Sequence, residues 1–335
     1  MVLIPDDKGL FCPAGDFHID PWGSVQRAVI THAHGDHARS GSSAYLCAEP
    51  GLHPLGQRMG PDAAIQTLAY GQRLQIGGAA VSLHPAGHVL GSAQVRVEVG
   101  GEVWVASGDY KRDPDPTCRS FEAVRCHTFV TESTFGLPVY RWQDPDRVMD
   151  EIVSWWAANT QAGRPSVLMA TIMGKAQRIL AVLQGMDGLP GPVLAHGAMQ
   201  QMNQAYRQAG VVLPAAPNPV QVSGQTDFSR ALVLAPPSAQ GTAWMRRFKN
   251  PATARVSGWM RVRGRMRRLA LDRGFVLSDH ADWPGLLQTV SETGAEKVLA
   301  THGSGATLAR YLQDQGMDAQ ALPLAPWDGT GEVEQ

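Results

Sequence analysis

Between Phe17 and Ile30 short apolar runs alternate with turn residues, the pattern of packed strands. Val81–His84 is another short apolar run, and Gln94–Val99 again has strand pattern. Val103–Ala106 reads as a buried strand that ends in the exposed sequence Ser107-Gly108-Asp109. Phe129–Val130, Phe275–Leu277 and Val298–Ala300 repeat the form, each followed by a chemically active side chain: Glu132, His280 and His302. From Trp283 to Glu292 the spacing turns helical, which makes a strand–helix–strand unit of ordinary length. Glu49–Tyr70 mixes a short helical pattern with Gly and Pro. The chain therefore reads as α/β.

One loop concentrates the chemistry. Directly after Val29-Ile30 come His32, His34, Asp36 and His37, four potential metal ligands in one short stretch. Neutral imidazoles and carboxylates are what zinc and manganese favour, and a cation would hold such a cluster together. Downstream, His88 sits at a strand–loop junction between Gly87 and Gly91, and Asp109 ends its strand where a bridging carboxylate would sit. A plain turn aspartate is the other reading of Asp109. Asp20, just after Phe17-His18-Ile19, is either a turn aspartate or a carboxylate that orients a ligand histidine. Together these side chains suffice for two metal ions with positions left open for water or substrate.

Composition adds boundaries. With 44% hydrophobic and 18% charged residues among 335, the chain can bury a normal core in one large or two smaller domains. Cys12, Cys47, Cys118 and Cys126 are scattered and form no C-x-x-C pair. They read as thiols of a cytoplasmic protein rather than a disulfide framework. Neither a signal-peptide pattern nor an apolar run of ~18 residues occurs, so a membrane span is not expected.

The order Asp20, His32-x-His34-x-Asp36-His37, His88, Asp109 resembles the metallo-β-lactamase fold, an αβ/βα sandwich with its metal site at the edge shared by two sheets. Glu132, His280 and His302 resemble motifs A, B and C of the β-CASP nucleases, and Gly174-Lys175-Ala176-Gln177 resembles that family's Gly-[Arg/Lys]-Ala-Gln turn. The resemblance implies a metallo-β-lactamase domain from 1–135 and 271–335, with a β-CASP domain inserted over 136–270. That insertion reads as α/β, with helices at 146–158, 175–186 and 199–209 and strands at 166–171, 192–195 and 231–235.

The resemblance also implies roles. His32, His34 and His88 would hold one divalent ion (Zn²⁺ or Mn²⁺), Asp36, His37 and His302 the second, with Asp109 bridging. Asp36, His280, Glu132 and Asp20 form the implied catalytic group: His280 as general acid, Glu132 orienting it, Asp20 steadying a ligand ring.

The net charge of -1 hides an asymmetry. Between Arg246 and Arg273 lie ten basic residues and one acid, Asp272, with Trp244, Phe248 and Trp259 interleaved. Arginine among aromatics suits phosphate contact and base stacking, although a merely basic helix face is the plainer reading. Arg261, Arg263, Arg265, Lys175 and Ser257 are the expected nucleic-acid contacts. In length and motif spacing the chain resembles bacterial ligase-associated DNA exonucleases. DNA is thus the expected substrate, 5′ to 3′, in repair and with a functional link to a DNA ligase. His302 and the residues around His88 look like the RNA-cleaving branch, which keeps an RNA-processing nuclease as the alternative.

Overall fold

A computed structural model describes residues 1–222, 227–262, 264 and 269–322. These fall into two compact units, one of residues 1–141 and 280–322, the other of 142–279.

In the first unit two sheets share one apolar cluster. The six-stranded sheet runs Ile4–Pro5, Leu10–Cys12, Phe17–Ile19, Arg27–Val29, Ala44–Ala48, Ile65–Leu68, in sequence order. Its last four strands are parallel. The seven-stranded sheet has the order Asp318–Ala321, Lys297–Thr301, Thr128–Glu132, Glu102–Ala106, Ala93–Val99, Ala79–Pro85, Arg73–Ile76. Its first four strands are parallel and the rest antiparallel. Phe17, Ile19, Val29 and Leu46 from one sheet meet Val81, Leu83, Val95, Val97 and Trp104 from the other. Alternation explains the choice: along Ala93–Val99 it is Ala93, Val95 and Val97 that enter this cluster. The opposite face of the seven-stranded sheet takes Val103, Val105, Phe129 and Val298 into a second cluster. Leu286 and Val290 of the helix Trp283–Thr293, and Leu308 and Leu312 of the helix Gly305–Asp314, cover it.

The second unit is built on five parallel strands, in the order Val193–Ala195, Leu232–Ala235, Ser166–Met169, Ala252–Val256, Arg273–Phe275. Its helices are Pro145–Gln161, Lys175–Gln184 and Gly197–Gln208. Central strands such as Ser166–Met169 and Leu232–Ala235 are buried along their whole length, as a parallel sheet covered on both faces requires.

The basic segment is not one surface. Ala252–Val256 runs through it as a sheet strand with Ala252, Ala254 and Val256 buried and Arg255 half-buried on the opposite face. Arg273 pairs with Glu151 at 3.2 Å and lies over the Phe275 ring. Arg246, Arg247, Lys249 and Arg261 are exposed. Among the described residues no helix is long and apolar enough to cross a membrane.

A candidate metal centre

Parallel strands deliver their side chains at one end, and open α/β sheets bind ligands outside the carboxyl ends of their strands. The strand Arg27–Val29 continues through buried Ile30 to Thr31 and His32. A turn then closes with the Ala38 N–H donating to the His34 carbonyl at 2.8 Å, so that His34 and His37 return beside His32. His88 follows the strand Ala79–Pro85, and Ser92 Oγ accepts from the N–H of both His88 (3.1 Å) and Val89 (3.2 Å), fixing that loop. Asp109 follows Glu102–Ala106, Glu132 ends Thr128–Glu132, and His302 follows Lys297–Thr301.

Four donor atoms converge. His34 Nδ1 lies 3.1 Å from His32 Nε2 and 3.1 Å from His88 Nε2. Asp109 Oδ2 is 3.5 Å from His32 Nε2 and 3.8 Å from His88 Nε2. Ligands about 2.0–2.1 Å from a tetrahedral zinc ion sit roughly 3.3 Å from one another, so these four atoms have the spacing of a metal cage. The donor set fits the group that the sequence implies. His37 Nε2 lies 3.4 Å from the same Oδ2 and 3.8 Å from Asp36 Oδ2, its ring centred 4.2 Å from that of His32. The His302 ring is centred 5.4 Å from that of His37. Asp36 is the exposed member; the others are buried or half-buried.

Charge in this cluster is finely balanced. Burial and the neighbouring His37 and His88 rings press the His32 imidazole well below its usual pKa, leaving it neutral as a ligand must be. Burial and the His37 ring lower His302 as well. Burial opposes charge on His37, but Asp109 and Asp36 outweigh it and raise that ring well above its ordinary value. Burial likewise opposes charge on Asp109, and the His37 and His280 rings overcome it, holding the carboxyl well below the usual range. The carboxylates that favour a proton on His37 would equally favour a cation beside it.

Asp20 lies at the margin of this cluster with a φ of 44°. It accepts from the Thr31 N–H (2.8 Å) and Thr31 hydroxyl (2.5 Å), and its Oδ2 is 2.7 Å from His37 Nδ1. Glu132 and His280 form an adjoining pair, with His280 Nδ1 2.9 Å from Oε2 and 3.1 Å from Oε1. The Tyr110 N–H donates to Glu132 Oε1 at 2.7 Å, and Asp109 Oδ2 lies 4.0 Å from His280 Nδ1.

The expected nucleic-acid contacts differ in exposure. Lys175 is buried, its ammonium 3.4 Å from Asp279, because it opens the helix Lys175–Gln184 inside the second unit. Ser257 is buried too, its Oγ accepting from the Trp259 N–H in a short turn. Arg261 is exposed, while Arg263 and Arg265 lie outside the described residues. Thr31, Thr301 and Ser133 touch the cluster without having been singled out in the sequence. The signal for two of them is visible in retrospect: Thr-His ends both strand–loop junctions, Val29-Ile30-Thr31-His32 and Leu299-Ala300-Thr301-His302.

A half-buried His/Asp cluster of this kind, at the ends of parallel strands, is suited to metal-assisted hydrolysis. Comparison with known proteins narrows the class. The chain is 28% identical over 317 residues, 94% of its length, to a "Probable DNA ligase" of Opitutus terrae, of which the matched part is 30%. It is 28% identical over 140 residues to "Endoribonuclease YSH1" of Yarrowia lipolytica, covering 41% of this chain and 16% of that protein. The corresponding Saccharomyces cerevisiae protein matches at 27% over 122 residues, 15% of its length. The chain thus spans less than a third of these relatives. A crystal structure titled as a protein of unknown function from Enterococcus faecalis V583 superposes with a TM-score of 0.60 over 89% of this chain and 79% of that one. At 12% identity it shares the fold alone. No family model matches. These relatives are by name nucleic-acid enzymes, one a probable DNA ligase and two endoribonucleases, and the similarities leave DNA and RNA both open.

Proposed function

We propose that this chain is a two-metal phosphodiesterase that degrades DNA exonucleolytically, from a 5′ end toward the 3′ end, in DNA repair. The observation that carries the reading is the convergence of His32, His34, His88 and Asp109, with His37 against the same Asp109 oxygen and Asp36 and His302 beside His37. DNA is favoured because the similarity to the Opitutus terrae protein extends through 94% of this chain, second unit included. A ligase partnership belongs to the same reading. RNA is the second reading, supported by the endoribonuclease relatives, whose similarity covers at most 41% of the chain.

His32, His34, His88 and Asp109 would hold one divalent ion, and Asp36, His37, His302 and Asp109 the other. When bound, such ions supply Lewis acidity toward phosphoryl oxygens and acidify water near neutral pH. The remaining steps fall to side chains. Glu132 receives the His280 Nδ1–H, which leaves Nε2 as the nitrogen able to hand a proton to the departing oxygen. Asp20 holds His37 in place through Nδ1.

The deciding experiment offers the protein 5′-labelled single-stranded DNA, matched RNA and nitrocefin with Mn²⁺ or Zn²⁺. Mononucleotide release from DNA is the expected result. Preferential RNA cleavage transfers the assignment to the second reading, and nitrocefin turnover without nuclease action ends both.

A further inference from the structure

Two of the histidines in the cluster share a local arrangement. Thr31 ends one strand path and Thr301 another, and each threonine hydroxyl faces Nδ1 of the histidine that follows it: Thr31 Oγ1 to His32 at 3.0 Å, Thr301 Oγ1 to His302 at 3.1 Å. In each case the hydroxyl proton is already committed. Thr31 donates to the Asp20 carboxylate at 2.5 Å, and a carboxylate accepts only. Thr301 donates to the Thr131 carbonyl at 3.2 Å, which likewise only accepts. The hydroxyl oxygen therefore receives the ring N–H, which puts the proton on Nδ1 and the lone pair on Nε2. For His32 that is the nitrogen facing His34 and Asp109.

The backbone enforces the second copy. His302 has a φ of 54° and Gly303 one of 54°, both in the left-handed region that costs a non-glycine residue energy. Buried Ser133 spans the turn: its hydroxyl lies 2.8 Å from the Thr301 carbonyl and 2.5 Å from that of His302, and its own carbonyl accepts from the Ser304 N–H. A Cβ on Gly303 would come within 2.4 Å of the Ser133 carbonyl oxygen.

We infer that Thr31 and Thr301 are paired positioning residues, each fixing the tautomer and tilt of one ligand histidine, His32 for one cation and His302 for the other. The inference rests on the two-metal reading above, and it extends that reading to two residues outside the ligand set. Partners that hold the far nitrogen of a ligand histidine typically contribute 10–100-fold in metal affinity.

The test is a Zn²⁺ titration against a chromophoric chelator on the full chain, comparing Thr31→Val, Thr301→Val, the double variant, and Thr31→Ser and Thr301→Ser. Valine keeps the shape and removes the hydroxyl; serine keeps the hydroxyl. Each valine variant is expected to weaken one of the two affinities by roughly 10–100-fold, leaving the other within about twofold. The double variant weakens both, and each serine variant restores binding. Unchanged affinities in both valine variants overturn the inference, as does equal weakening by valine and serine, which marks a merely structural role. A wild type that binds two ions but cleaves no nucleic acid would defeat the functional reading and leave the threonine inference standing. A cleaving wild type with indifferent valine variants would do the reverse.

Discussion

Every contact that Asp20 makes with Thr31 and His37 is one in which it accepts: the Thr31 N–H, the Thr31 hydroxyl and the His37 ring. An amide in its place would point N–H bonds at donors whichever way it turned. Its φ of 44° is no obstacle to asparagine, which tolerates the left-handed region, so Asp20→Asn changes the chemistry and not the backbone. Metal affinity is expected to fall roughly 10–100-fold while the protein stays folded. Chelator competition beside a thermal melt checks both halves, and an unchanged affinity would release Asp20 from its role. His280 tests a different quantity. Its Nδ1 is held by Glu132, and it stands outside the four-atom cage of His32, His34, His88 and Asp109. His280→Ala should therefore slow turnover by roughly 10²–10⁴ with metal content intact. An unaffected rate at full metal loading removes it from the mechanism.

At the scale of elements, the loop bearing His88 depends on a neighbour. The Lys111 N–H donates to the Ala86 carbonyl, and its buried ammonium lies 2.5 Å from Asp115 and 3.5 Å from the His88 carbonyl. Asp115 in turn accepts from the backbone and hydroxyl of Thr117. Gly87, with a φ of 72°, lets the two loops touch: a Cβ there would fall 2.3 Å from the Lys111 carbonyl oxygen. Removing one partner of a buried pair typically costs about 3–5 kcal/mol. Lys111→Met should lower unfolding stability by that order in urea and weaken metal binding through His88. A loss well under 1 kcal/mol would show the pair to be dispensable. This ion pair marks what the sequence conceals. His32 to His37 are legible because their geometry is local, one turn of chain holding four candidate ligands. Asp109, Glu132 and His302 are legible because each follows an apolar strand. Lys111, Ser133 and Thr301 look ordinary in sequence, since their partners arrive from other strands and loops. The basic segment misleads for a related reason. The period of two in Ala252, Ala254 and Val256 is that of a strand, but two small alanines, one of them beside Arg255, give it a weak apolar signal.

For the whole molecule, a net charge of -1 rules out affinity for a polyanion through overall charge, so binding has to come from a local patch. In the second unit that patch is smaller than ten residues. Arg273 is committed to Glu151, and Arg255 is half-buried on its strand. Arg246 and Arg247 end a short turn, and Lys249 follows close behind, all three exposed and without an acidic residue from Ala243 to Asn250. Arg247 also lies over the Trp244 ring, 5.4 Å from its centre. If these three cations meet phosphates, each contact releases counterions, and the slope of log affinity against log salt changes by roughly 0.7 per contact on a single strand. Replacing all three by alanine should flatten that slope by about 2. Affinity should drop alike for unrelated sequences, because phosphate contacts carry no base identity. Metal binding, which the proposed function assigns to the first unit, should not move. Fluorescence anisotropy on labelled single-stranded DNA from 50 to 200 mM salt makes the measurement. A slope unchanged in the triple variant would place the nucleic acid elsewhere, and a slope that changes only for RNA would turn the substrate assignment to the second reading.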